Sequence, residues 1–123
     1  MSFSSIRIIT DDVDRLAAFY ERVTGTPAER PAPVFAQFAG AGATLAIAST
    51  ATVATLGDAM APHANRSVFV EFEVADVDAE FARLHPAEAD VVLVPTTMPW
   101  GNRSALLRDP DGNVVNLFST PAV

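Results

Sequence analysis

The 123-residue chain carries 15 acidic and eight basic residues, a net charge of -7, and 50% apolar residues, enough to bury a core without covalent staples. Cysteine is absent, which removes disulfides, thiolate ligands and thiol nucleophiles together, and lysine is absent too, which removes Schiff-base chemistry and a P-loop. The negative field disfavours nucleic acid and membrane surfaces and suits a neutral or cationic small organic molecule, and no apolar run approaches the ~20 residues of a membrane span, so the chain reads as soluble and cytoplasmic.

Ile6 to Thr10 is β-branched and apolar, as in a buried strand, and stops at Asp11-Asp12, either of which can cap a helix. Val13, Leu16, Ala17, Tyr20 and Val23 then recur at helical spacing, and Gly25 supplies a left-handed stop. Val34 to Phe38 and Thr44 to Ala48 read as a hairpin around Gly40-Ala-Gly42, and residues 50–66 as a connector with a short helix. Val68 to Val74 is the next strand. Asp76 caps a helix that turns Val77, Phe81 and Leu84 inward and ends at Pro86. Val91 to Pro95, Arg103 to Arg108 and Val114 to Ser119 are three further strands, the last two joined by the turn Asp109-Pro-Asp-Gly112.

The two halves repeat one pattern. Asp12-Val13-Asp14 lies over Asp76-Val77-Asp78, an offset of 64 (76 − 12), and Gly42 lies over Gly112, an offset of 70 (112 − 42). Each half is therefore expected to be a βαβββ module, about 3–49 and 67–120, within one α+β domain. The first module needs a strand between Gly25 and Val34, where prolines conceal it.

The repeat, the Asp12…Phe19-Tyr20…Gly25 spacing and the tail Trp100-Gly101-Asn-Arg103…Asp109-Pro-Asp-Gly-Asn113-Val-Val-Asn116 resemble the vicinal-oxygen-chelate superfamily, the glyoxalase, bleomycin-resistance and ring-cleaving dioxygenase group. The resemblance implies a half-barrel with a concave ligand face, a homodimer, and a divalent ion held by His, Gln or Glu from the first and last strands of each half. Those positions fall here on Ser5, Ala46, Phe69 and Asn116, so no metal and no other cofactor is expected. A solvated or helix-end role is the ordinary reading of His63 and His85, which lie outside the four positions.

Strand alternation places Ser5, Arg7, Ile9, Phe69, Glu71, Glu73, Ala46, Ala48, Asn116 and Phe118 on the concave face, with Trp100 and Arg103 entering from the second half's long loop. Ser5, Arg7, Phe69, Glu71, Trp100, Arg103, Asn116 and Phe118 are thus the expected ligand contacts. Arg7 and Glu71 are equivalent positions, and either pair as an internal ion bridge or orient a polar ligand. Trp100 is either a core lid or a stacking platform. The resemblance implies metal-free binding of a small molecule, as in the antibiotic-sequestering members that take up cationic drugs. A lyase, isomerase or dioxygenase with Glu71 or Glu73 as base, and a ligand-free structural relic, are the alternatives.

Overall fold

The computed structural model describes residues 1–121. The chain forms two compact units, Met1–Ala64 and a second that begins at Asn65. In the first, β1 (Ser5–Thr10) leads into α1 (Val13–Thr24), followed by β2 (Glu29–Ala32), β3 (Phe35–Ala39) and β4 (Thr44–Ser49). The second repeats the order with β5 (Phe69–Glu73), α2 (Val77–Leu84), β6 (Val91–Thr97), β7 (Arg103–Arg108) and β8 (Val114–Ser119). The sheets have strand orders β1-β4-β3-β2 and β5-β8-β7-β6, the same topology twice. The architecture is therefore α+β, built from two βαβββ modules, as the repeat requires.

The local signals act as read. Asp12 and Asp76 each accept a hydrogen bond from the backbone N–H three residues on, Arg15 and Ala79, both at 3.0 Å. Gly25 closes α1 in the left-handed region at φ 69°, and its N–H donates to the Glu21 carbonyl. α2 stops instead at His85, a non-glycine residue at φ 44°, directly before Pro86. His85 thus closes a helix, and His63 meets Asp11 across 3.1 Å.

The strand that the prolines conceal is β2. It lies at the outer edge of its sheet, where a proline's missing N–H removes no ladder bond, and its pairing with β3 is interrupted between Glu29 and Ala32. Pro95 stands in β6 for the same reason, at the outer edge of the second sheet.

One face of each sheet is covered by its helix. Val13, Leu16, Ala17, Tyr20 and Val23 of α1 are buried, and the Tyr20 ring lies 6.4 Å from that of Phe38 on β3. In the second unit Val77 and Leu84 of α2 are buried along with Val115, Leu117, Ala105 and Leu107, while Phe81 is only half-buried. The segment expected as a connector belongs to the units themselves. Thr50–Ala59 is a kinked 3₁₀ stretch whose Val53 joins Ile9 and Ala48 in a buried cluster backed by Phe35, and Asn65 is bonded to Val68 and Asn113 of the second unit.

Candidate functional site

The face of each sheet away from its helix is read from the ladder. In the first unit Ser5 stands beside Thr44, Arg7 beside Ala46 and Ile9 beside Ala48, and β3 continues the last two rows with Gln37 and Phe35. Gln37 donates to Glu29 across 2.8 Å, so the Arg7 row is polar. Neither Gln37 nor Glu29 is a sequence candidate, because β2 and the β3 register are not visible in the residue pattern. Ile9 and Ala48 are filled over by Val53 and present no open surface.

In the second unit Phe69 stands beside Val114, Glu71 beside Asn116 and Glu73 beside Phe118. Asn116 donates its amide to Glu71 at 2.8 Å, and its Oδ1 is buried with no hydrogen-bond partner among the described residues. Phe118 is half-buried, and Glu71 and Glu73 are exposed, so neither carboxylate lies in the water-excluded setting of a proton-transfer base.

Two expected ligand contacts lie away from the concave row. Arg103 is the first residue of β7, as the strand reading has it, and alternation sends it to the helix side with Ala105 and Leu107 instead of to the concave face. There its guanidinium grips Asp78 of α2 through two hydrogen bonds, 2.6 and 2.8 Å, and reaches Thr97 at 3.1 Å. Trp100 is 71% exposed and is neither a core lid nor a wall of the cavity described below.

The Arg103 fork holds the Asp78 carboxyl below its ordinary value of 3.8, chiefly through the hydrogen bond and then through charge. A depressed folded-state pKa contributes stability above 3.8 that is lost as pH falls through the folded-state value. Asp78→Asn is therefore expected to lower the melting temperature slightly at neutral pH, the pair being exposed, with the deficit vanishing well below pH 3.8. Melting curves of both proteins across that range check it; a deficit that persists in acid would show that another role of Asp78 dominates.

Around Phe69 the second unit has a half-open cavity of about 430 Å³, whose walls include Arg66, Phe69, Arg108, Gly112 and Val114. Phe69, Val114 and Arg108 form the first row of the sheet face away from α2. Arg66 is brought over them by Asn65, whose Oδ1 accepts from the N–H groups of Ser67 and Val68 and whose Nδ2 donates to Val68 and to Asn113. That clamp ties the approach to β5 to the β7–β8 turn. The turn is fixed in its own right: Asp109 is buried and accepts from the N–H groups of Asp111 and Asn113, each at 2.9 Å, and from the Asn113 side chain at 2.8 Å.

Phe69 is the one expected ligand contact that lines this cavity; Ser5, Arg7, Glu71, Trp100, Arg103, Asn116 and Phe118 do not. Arg66 and Arg108 had no signal in the sequence beyond their charge. Their convergence depends on which strand ends and turns meet.

The sequence profile of the Glyoxalase/Bleomycin resistance protein/Dioxygenase superfamily matches residues 2–117. The chain belongs to that superfamily. Among solved structures, a glyoxalase/bleomycin resistance protein/dioxygenase family enzyme from Burkholderia phytofirmans PsJN is similar, with a TM-score of 0.84 and 19% identity over 98% of this chain and 99% of that one. A glyoxalase/bleomycin resistance protein/dioxygenase from Nocardioides gives 0.76 and 23%, covering 98% of this chain and 84% of that one. A protein of unknown function from Agrobacterium tumefaciens str. C58 gives 0.80 and 25%, covering 98% and 94%. No curated protein matches the chain. At these identities the structures carry the fold and leave the activity of this superfamily member to its own residues.

Those residues do not fit the superfamily's divalent ion. The ladder pairs Arg7 with Ala46 and Glu71 with Asn116, so Ser5 and Phe69 stand two residues out of register with Ala46 and Asn116, and a shift of two residues would add one carboxylate, Glu71, to the four expected positions. At those positions the first unit offers the exposed Ser5 hydroxyl and the buried methyl of Ala46, and the second offers a phenyl ring and one neutral amide. Zinc and its neighbours require imidazole, carboxylate or thiolate donors, several at once, and a lone amide oxygen is no substitute.

Proposed function

We propose that this superfamily member binds a small organic molecule without a metal ion, and that sequestration of such a compound, as in antibiotic resistance, is its use. The cavity beside Phe69 carries this reading. Its volume of about 430 Å³ lies in the range of small-molecule sites, and its wall combines an exposed aromatic ring and a valine with a few polar groups that can orient a ligand. The non-ligating side chains at the four metal positions support binding over metal-assisted chemistry.

The test joins elemental analysis of protein purified without added metal to a thermal-shift screen of small organic compounds spanning positive, neutral and negative charge. Zinc, iron, nickel and manganese are expected well below one equivalent, before and after incubation with each ion. A compound at about 100 times its dissociation constant should stabilise the fold by about 2.7 kcal/mol, a rise of several degrees. Retention of one equivalent of any of these metals would overturn the metal-free part of the proposal, and a screen without a saturable hit would overturn the binding part.

A further inference from the structure

We infer that the cavity beside Phe69 takes an organic anion, a carboxylate or phosphate gripped by Arg66 and Arg108 with its carbon body against Phe69 and Val114. The inference rests on the small-molecule reading above and names the chemical class of its ligand.

Arginine usage singles out the two residues. Of the eight arginines, Arg15, Arg30, Arg83 and Arg103 are each within ion-pair distance of a carboxylate in their own unit. Arg7, Arg66 and Arg108 have no hydrogen-bond or ion-pair partner among the described residues, and of these three only Arg66 and Arg108 line the cavity. The chain has almost twice as many acids as bases, yet the cavity wall carries two guanidiniums that no carboxylate neutralises. Two like charges close together repel, and an oxyanion between them reverses the sign of that interaction.

The walls favour the same class. Asn65 ties the backbone that carries Arg66 to Asn113, which sets where the Arg66 side chain leaves the chain. It lies near Gly112, with Nη1 3.9 Å from where a Cβ would stand. Asp109 and Asp111 share that turn and are buried; Asp109 already accepts three hydrogen bonds, and neither pairs with Arg66 or Arg108. Phe69, 53% exposed on the row of Arg108 and Val114, supplies an apolar platform that an inorganic ion would leave uncovered.

Overall charge suggests a neutral or cationic ligand, and the cavity reverses that. The net charge of -7 acts through water and is screened over about 8 Å at physiological salt, whereas two guanidiniums in contact with a bound group act at hydrogen-bond distance. Local charge therefore decides the class of ligand.

Isothermal titration of the full chain with benzoate, phenyl phosphate, inorganic phosphate, benzyl alcohol and benzylamine tests this, with melting curves of each variant as a folding control. Benzoate or phenyl phosphate is expected to bind saturably, more weakly as salt rises, and at least about tenfold more tightly than benzyl alcohol or benzylamine. Arg66→Gln and Arg108→Gln should each weaken that binding by about ten- to a hundredfold at unchanged melting temperature. Arg83→Gln, which removes the same charge from α2, should leave it unchanged. Equal affinity for benzyl alcohol or benzylamine, or indifference to both substitutions, would overturn the anion inference while leaving small-molecule binding standing. Inorganic phosphate binding as tightly as phenyl phosphate would overturn the role given to Phe69. Absence of binding by every probe, with no hit in the wider screen, would remove both proposals.

Discussion

Tyr20→Ala is expected to cost the fold about 3–5 kcal/mol, a large share of the roughly 5–15 kcal/mol typical of a whole protein. Tyr20 is the largest fully buried side chain, with its ring edge-on to Phe19 at 5.1 Å and tilted against Phe38 at 6.4 Å, so it joins the buried face of α1 to β3. Truncation removes the transfer energy of the ring and leaves a cavity that close-packed neighbours fill only in part. Tyr20→Phe should keep most of the packing and cost far less. Urea unfolding of the three proteins measures the difference; a loss below about 1 kcal/mol for the alanine variant would mean that α1 can re-seat without its central side chain.

Asp109→Ala is the second substitution with a large effect, at about 3–5 kcal/mol, and its cause is polar. The carboxylate gathers three donors into the β7–β8 turn, the N–H groups of Asp111 and Asn113 and the Asn113 amide, all in a buried setting. Removing it strands donors that cannot all reach water, and each stranded donor costs about 1–3 kcal/mol. Asp109→Asn is expected to fall between: its carbonyl still accepts the backbone donors, while its NH₂ faces that of Asn113. Because Asn113 also accepts from Asn65, Asp109→Ala should in addition weaken any ligand held by Arg66. Chemical denaturation of both variants reads the stability term; equal stability of Asp109→Ala and the parent would show that the turn is held by Pro110 and Gly112 alone.

The candidate site divides along the same line between local and distant causes. The equivalence of Arg7 with Glu71 and of Ala46 with Asn116 was legible because a repeated motif preserves its internal register, and the ladder keeps those offsets. Arg103 was expected to reach the concave face from the long loop before it, although it opens the strand over Arg103–Arg108 and alternation there sends it to Asp78. Ile9 and Ala48 were placed on an open face because nothing near them in the chain announces Val53, which arrives from a segment with no regular pattern.

Helix starts at Asp12 and Asp76, the stop at Gly25, the apolar stripe of α1, the Asp109-Pro-Asp-Gly turn and the doubled βαβββ order all followed from the sequence by itself. Each of these depends on atoms within a few residues of one another, or on a repeat that copies them, and such short-range chemistry is written in the order of the chain. The placing of Arg66 and Arg108 in the wall of one cavity was decided by the tertiary structure alone. It requires the parallel pairing of β5 with β8, the antiparallel pairing of β7 with β8, and the Asn65–Asn113 hydrogen bond, contacts between segments far apart in sequence whose closure no local residue preference encodes.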